Sequence, residues 1–158
     1  MVPSKTSRLI SHVGLKSLYG LCCLAALLIS CKSTGKPPDT SVRGSQASFI
    51  LPATALFQAY DSNLVAADGK YRDRVIYITG AVDIVESDLR GGYSVTLQAG
   101  AGWDQVVNCE FSKGQVDYIL KLTRGSYVRI KGRCSGKIPT LTLSDCLLVD
   151  EKGTPLGG

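Results

Sequence analysis

The chain is 158 residues long, which leaves room for one folded domain and one additional segment at an end. Its formal net charge of +5 comes largely from the N-terminal segment. Lys5, Arg8 and Lys16 lie there, and the remaining 15 basic residues nearly match the 13 acidic ones. This near balance argues against a protein that binds nucleic acid through a strongly basic domain. The only histidine, His12, also lies at the front, which excludes imidazole-dependent triads and zinc sites from the rest of the chain.

Residues 1–30 have the pattern of a signal peptide. A basic stretch without acidic residues is followed by an uninterrupted apolar run over residues 18–29, shorter than the roughly 20 residues that a membrane-spanning helix needs. The sequence Leu-Ile-Ser-Cys at residues 28–31 resembles a bacterial lipobox, in which the chain is cut before the cysteine and that cysteine receives a lipid. We therefore predict a lipoprotein signal peptide over residues 1–30 and lipidation at Cys31. A plain secretory signal is the alternative.

Lipidation at Cys31 predicts an anchor in the bacterial cell envelope, because several acyl chains on one residue give stable membrane attachment. Lys32, in place of an aspartate after the cysteine, favours the periplasmic side of the outer membrane if the enterobacterial sorting rule applies. Residues 31–48 are rich in Ser, Thr, Gly, Pro and charged residues. This composition predicts a disordered tether between the anchor and the folded domain.

A helix is predicted directly after the tether. Pro52 suits a first helical turn, and the apolar residues Leu56, Tyr60 and Leu64 recur at helical spacing. Gly69 is a suitable end. The polar side of this helix is acidic, which argues against a helix that lies on a membrane surface.

Five strand patterns follow. The first, over residues 74–85, is long and has Gly80 at its middle, where a glycine indicates a bend or the close approach of another backbone. Alternation predicts one apolar face on this strand, formed by Ile76, Ile78, Val82 and Ile84. The other strand patterns cover residues 93–98, 105–111, 127–134 and 141–149, with a short helix at residues 116–122 and a disordered tail at residues 151–158.

Three strands, a short helix and two more strands are the element order of an OB-fold, a five-stranded, partly open Greek-key barrel. We predict a mainly β domain of this fold over residues 49–150, with an N-terminal helix and a short helix between strands three and four. Another small β-barrel or an open β-meander is the alternative. In the OB topology the fifth strand lies beside the third, so Cys109 and Cys146 form a possible disulfide. Three buried thiols are equally compatible with the sequence.

Several short motifs occur together in this domain. They are Ala67-Asp68 with Tyr71, Thr79-Gly80-Ala81, Val107-Asn108-Cys109-Glu110-Phe111, Gly132-Arg133-Cys134-Ser135-Gly136 and Asp145-Cys146. In this combination, over residues 53–149, the chain resembles the bacterial tRNA-anti-like family of OB-fold lipoproteins. The resemblance implies the fold and the envelope location. The nucleic-acid label of that family is itself inferred from the fold, and a fold does not determine a function.

An OB-fold binds its ligands through the outer face of its second and third strands and through the adjacent loops. The possible ligand contacts predicted there are Tyr77, Arg90, Thr96, Gln98, Trp103, Asn108 and Lys137. This face is polar and weakly charged, so a short glycan suits it as well as single-stranded nucleic acid does. The candidate partners are therefore single-stranded nucleic acid, a glycan or an envelope protein. The membrane is a further partner, through the N-terminal lipid.

Catalysis, a metal and a cofactor are not predicted. The acidic residues are scattered singly, without the positioned partner that acid–base chemistry requires. Arg129, Lys131 and Arg133 form a basic stripe on the fourth strand, off the usual OB groove, and we interpret this stripe as a solvated face. The expected function is a lipid-anchored envelope module that binds an oligosaccharide or a nucleic acid. A structural lipoprotein that binds a protein partner is the alternative.

Overall fold

The computed structural model describes residues 41–87, 91–111 and 114–157. The predicted signal peptide, Cys31 and Arg90 lie outside the described residues. The elements in chain order are β1 (Phe49–Pro52), α1 (Ala53–Ser62), α2 (Leu64–Tyr71), β2 (Val75–Ser87), β3 (Tyr93–Gln98), β4 (Val106–Phe111), α3 (Val116–Ile119), β5 (Tyr127–Lys137) and β6 (Leu141–Val149). The described part of the chain is therefore mainly β.

Strand β2 closes the barrel, because it pairs with a different neighbour at each end. Residues 75–81 pair with β5 and residues 82–87 pair with β3, both antiparallel. The other neighbours in the barrel are β3 with β4, β4 with β6, and β6 with β5, and the β4–β6 pair is parallel. This arrangement is the predicted five-stranded OB-fold. The β2–β5 pairing contradicts the open meander.

Gly80 lies where β2 passes from one partner to the next. A Cβ atom on this residue would be 3.3 Å from the Cβ of Ala53 and 3.4 Å from the Cβ of Leu97. The glycine therefore allows the first residue of α1 to approach the strand closely. A close approach of this kind is what a glycine within a strand pattern indicates.

A β-bulge reverses the alternation in the last part of β2. The pairing with β3 shifts register between Val82 and Ile84, which inserts Asp83 as an extra residue. Ile84 is consequently 47% exposed, whereas Val85 packs against the core. The prediction that Ile84 belongs to the apolar face is wrong, because one inserted residue moves the following side chains to the opposite face.

The predicted N-terminal helix is divided into α1 and α2 at Asn63. The backbone of this residue is extended, and its N–H donates to the carbonyl of Ala59. Its side-chain oxygen accepts the N–H of Ala66 at 3.0 Å. One asparagine thus ends the first helix and caps the second, a position that asparagine favours. The apolar spacing continues across Asn63, and for that reason the sequence predicted a single helix.

The end of the predicted tether is part of the folded domain. β1 pairs in parallel with residues 76–79 of β2, as a sixth strand beside the barrel. Before it, Val42 is only 2% exposed, and the carbonyl of Arg43 accepts a hydrogen bond from the amine of Lys131 at 3.2 Å. Residues 41–48 therefore pack on the barrel. Their composition does not reveal this, because it depends on one buried valine and one distant lysine.

The segment after β6, predicted as a disordered tail, also folds back on the barrel. The N–H of Leu156 donates to the carbonyl of Leu148 at 2.9 Å, and the hydroxyl of Tyr77 donates to the carbonyl of Gly153 at 3.3 Å. Asp150 closes the turn between them by accepting the N–H groups of Lys152 and Thr154. Residues 151–157 gain their order from these contacts with the barrel, which their own sequence does not encode locally.

All three cysteines of the barrel are free thiols buried in the core. The parallel β4–β6 pair sets Cys109 opposite Leu143, and the thiol of Cys146 donates to the carbonyl of Leu143 at 3.4 Å. The thiol of Cys109 lies near that of Cys146. Burial, and then the neighbouring Cys109 thiol, raise the pKa of Cys146 well above its ordinary value. Cys134 lies apart from them, with its sulfur 3.4 Å from the hydroxyl of Tyr60.

We expect a disulfide donor in an oxidising compartment to convert the Cys109 and Cys146 thiols into a disulfide, with loss of two hydrogens and reduction of the donor, while Cys134 stays a thiol. Mass spectrometry of peptides from the protein, purified from expressing cells without a reductant, tests this expectation. A Cys134→Ala variant is the matched control and should retain the bridge. A bridge that contains Cys134, or three free thiols in that protein, would contradict it.

We expect Gly132→Ala to lower the free energy of unfolding by about 1–3 kcal/mol, because overpacking a tight core has this cost. The added Cβ would lie 2.7 Å from the Cys146 sulfur and 3.1 Å from the Leu143 Cβ. Gly69→Ala is the matched control. Its Cβ meets nothing within 4 Å, and an alanine in an exposed helix should instead stabilise the protein by about 0.5–1 kcal/mol. Urea denaturation measures both values, and equal effects of the two variants would refute the packing argument.

Candidate functional site

Strands β3, β4 and β6 present a surface of hydroxyl and amide side chains on the outside of the barrel. We call this surface the polar face; its residues are Ser94, Thr96, Gln98, Asn108, Glu110, Thr142 and Ser144. The register sets Thr96 opposite Asn108 and Asn108 opposite Thr142, so three neutral polar side chains form a row across three strands. Adjacent strands lie about 4.8 Å apart, so the row is about 10 Å long. It ends at Gly136 of β5, which adds no side chain.

Two loops meet at one end of the polar face, and together they form the rim. They are residues 99–105, between β3 and β4, and residues 138–140, between β5 and β6. Val107 pairs with Leu141 at this end, which brings the two loops together. Trp103 is 92% exposed on the first loop and Ile138 is 75% exposed on the second. A cavity of about 300 Å³ lies between the loops.

The first loop of the rim has a defined shape, because Gln105 forms hydrogen bonds with other residues of the same loop. The N–H of Ala99 donates to the carbonyl of Gln105, and the N–H of Gln105 donates to the carbonyl of Gly102. The Gln105 side-chain oxygen also accepts the N–H of Gly102 at 3.3 Å. A Cβ atom on Gly100 would overlap that side chain, which would then have to move. The loop therefore presents Trp103 to solvent from a fixed turn.

The one cation in the rim cavity is compensated. The Lys137 amine lies 3.6 Å from a carboxylate oxygen of Asp61 and 4.4 Å from the ring centroid of Phe57. Asp104 on the rim and Glu110 on the polar face are exposed carboxylates. Over the described residues, this surface therefore offers neutral hydrogen-bonding groups, two carboxylates and an aromatic ring, without a cation free of a carboxylate partner.

Five of the seven predicted ligand contacts share the polar face and its rim; they are Thr96, Gln98, Trp103, Asn108 and Lys137. Tyr77 lies elsewhere, on β2 between Ile50 of β1 and Lys131 of β5, under the segment that follows β6. Arg90 is outside the described residues. The sequence prediction missed Thr142 and Ile138, because their proximity to Asn108 and Trp103 depends on the parallel β4–β6 pair.

The basic stripe on β5 is not the solvated face that we predicted. Arg129 donates to the backbone carbonyl of Glu151, and Arg133 donates to that of Asp73 at 3.0 Å. Lys131, which donates to the carbonyl of Arg43, is 5% exposed, and burial lowers its pKa. The three side chains fasten distant backbone segments to β5.

Tyr60 and Cys134 are neighbouring ionisable groups in the core of the barrel. Burial raises the pKa of both Tyr60 and Cys134, which keeps these neighbouring groups protonated and poorly nucleophilic. Over the same residues, no three His, Cys, Asp or Glu side chains are grouped to hold a metal ion. None of the helices described there combines the length and apolar character that a membrane crossing requires.

Comparisons with known proteins agree with this architecture. The model of the protein family tRNA_anti-like matches residues 20–147. A similar solved structure is a crystal structure described as a "putative nucleic acid-binding lipoprotein" from Klebsiella pneumoniae subsp. pneumoniae MGH 78578. The two chains are 19% identical, the match covers 73% of this chain and 100% of the other, and the TM-score is 0.54. This likeness supports the fold. No curated protein matches the chain.

Proposed function

Since this chain belongs to the tRNA_anti-like family, we propose that it is a lipid-anchored protein of the bacterial envelope whose OB barrel binds an oligosaccharide. The binding surface is the polar face with its rim, and binding involves no chemical conversion. The observation that carries the proposal is the position of Trp103, 92% exposed on the rim beside a row of neutral hydroxyl and amide groups.

The proposal follows from the chemistry of the two parts of the surface. Serine, threonine, asparagine and glutamine side chains both donate and accept hydrogen bonds, as sugar hydroxyl groups do. An exposed aromatic ring supplies a large apolar contact area, which suits the C–H face of a pyranose. OB-folds bind oligosaccharides as well as oligonucleotides on this side of the barrel. A row about 10 Å long fits a short stretch of such a chain.

Single-stranded nucleic acid is the second candidate, favoured by the description of the Klebsiella protein as a nucleic acid-binding lipoprotein. Trp103 is a suitable stacking platform for a base. Binding of single strands also requires a positively charged groove that follows the phosphates, and the Lys137 amine is already beside Asp61. The neutral ligand is therefore the better match to the polar face.

The anchor in this proposal is Cys31, and residues 31–40 act as the tether. Val42 is buried at the start of the described residues, which sets the end of that tether. Ten residues span at most about 35 Å when they are fully extended. A tether of this length keeps the barrel near the membrane surface, and the Klebsiella protein is likewise described as a lipoprotein.

We expect Cys31→Ala to move the protein from the membrane fraction to the soluble fraction of expressing cells, because it removes the acylated side chain. Cys134→Ala, which changes a buried cysteine, is the control and should remain with the membranes. Globomycin should cause the wild-type precursor to accumulate. A wild-type protein that is soluble, or that is processed normally under globomycin, would remove the anchor from the proposal.

Binding of a chito-oligosaccharide should change the fluorescence of Trp103, which is the only tryptophan of the chain. Asn108→Ala should weaken that binding about two- to tenfold, since one hydrogen bond contributes about 0.5–1.5 kcal/mol. Lys121→Met, far from the polar face on the loop after α3, is the control and should bind normally. The affinity is measured by titrating the full mature protein with the chito-oligosaccharide at two salt concentrations and following the Trp103 fluorescence.

An oligothymidylate is titrated in parallel, because it separates the two candidates. Oligosaccharide binding that is insensitive to salt supports the first. Oligothymidylate binding that weakens steeply with salt, without oligosaccharide binding, would establish the second in its place. If neither probe changes the fluorescence, or if Asn108→Ala binds as tightly as wild type, the polar face is not the ligand site.

A further inference from the structure

A groove of about 480 Å³ lies on the wall of the barrel away from the polar face, between α3, the start of β5 and the segment after β6. Its floor is apolar and includes Val128, Leu122 and Leu148. The groove shares no lining residue with the rim cavity. Its volume is in the range of small-molecule sites, which are typically concave and mostly apolar.

Two tyrosines line this groove and remain accessible. Tyr118 is 39% exposed and Tyr127 is 72% exposed. In the part of the chain that the structure describes, neither ring stacks on another aromatic ring. The groove thus combines an aliphatic floor with two accessible aromatic rings.

One wall of the groove is fixed by Gln115. The side-chain amide of this residue donates to the carbonyls of Leu148 and Leu156, and its oxygen accepts the N–H of Leu148 at 2.7 Å. The backbone of Gln115 has a φ of 59°, a left-handed conformation that is costly for a residue other than glycine. Three hydrogen bonds offset that cost and hold the segment after β6 in place. The groove is therefore preformed.

Two cations, Lys121 and Arg129, line the groove together with two carboxylates, Asp150 and Glu151. The Lys121 amine lies 5.7 Å from the Tyr118 ring centroid, and Arg129 donates to the uncharged carbonyl of Glu151. Within the described ranges, neither cation forms an ion pair with the carboxylate of Asp150 or Glu151. The Asp150 carboxylate instead accepts two N–H groups of its own turn, and these hydrogen bonds lower its pKa.

From this geometry we infer a second binding site, in which the groove holds a small amphiphilic acid. The apolar body of the ligand, an alkyl chain or an aromatic ring, packs on the floor and against the tyrosines. Its anionic group faces Lys121 and Arg129. The apolar floor supplies most of the binding, and the cations select an acid over a neutral molecule of the same shape. This site is independent of the oligosaccharide proposed for the polar face.

The experiment compares two acids with their neutral amides, dodecanoate with dodecanamide and 4-phenylbutyrate with 4-phenylbutyramide. Titrations of the full mature protein are followed by amide NMR shifts, which should localise to the first residues of β5 and to the segment after β6. We expect at least one acid to bind about tenfold more tightly than its amide, because only the acid makes a charge-assisted contact. A tenfold difference in affinity corresponds to about 1.4 kcal/mol. Comparison of the dodecanoate pair with the 4-phenylbutyrate pair shows whether the groove accepts an alkyl chain or an aromatic ring.

Variants separate the charge from the apolar contact. Lys121→Met keeps the aliphatic stem and removes the charge, so it should weaken the acid about tenfold and leave its amide unchanged. Tyr127→Ala should weaken both molecules. Lys137→Met, beside the rim cavity, is the matched control and should change neither titration. Lys121 and Tyr127 are exposed and Lys137 is partly exposed, and circular dichroism verifies that the variants fold.

Three results would overturn the inference. They are the absence of binding by both acids at about 1 mM, equal affinity of acid and amide, and shifts that localise to the polar face. A Lys121→Met variant that binds the acid as tightly as wild type would also overturn it, because the site would then not recognise the charge. None of these results bears on the oligosaccharide titration, whose signal comes from Trp103.

Discussion

The structure depends on the passage of β2 from β5 to β3 at Gly80. A single strand that belongs to both halves of a barrel must bend, and at the bend the neighbouring elements come close. Here the Cβ of Ala53 is 3.3 Å from the position that a Gly80 side chain would take. The absence of a side chain at Gly80 therefore decides where α1 begins and how it covers the barrel. The β4–β6 pairing that builds the polar face requires the same closure.

A second constraint comes from β5, whose cations hold three backbone segments to the barrel. Arg129, Lys131 and Arg133 donate to carbonyls that lie after β6, before β1 and before β2. Hydrogen bonds to charged donors are stronger than neutral ones, and a carbonyl partner leaves the positive charge in place. These contacts explain why the folded domain extends beyond the strands at both of its ends.

The sequence predicted most of the fold, since alternation and element order are local signals. It could not predict the Asp83 bulge, because residues 82–85 alternate normally until the pairing with β3 inserts one residue. The break at Asn63 was predictable in principle, because asparagine favours the capping position of a helix. The sequence nevertheless predicted one helix, because the apolar spacing continues across this residue. Val42 and the segment after β6 are ordered by residues far away in sequence, such as Lys131 and Gln115, so no local pattern reveals them.

The same reasoning separates what was predictable in the candidate site from what was not. Trp103 and Asn108 were identifiable, one as the only tryptophan and the other by strand alternation. Thr142 also alternates outward, but it belongs to the candidate site because it lies beside Asn108. That position requires the parallel pairing of β4 with β6. The groove beside Tyr127 needs three elements from distant parts of the chain. A site on one sheet can be read from its strands, whereas a site between elements appears only after the chain has folded.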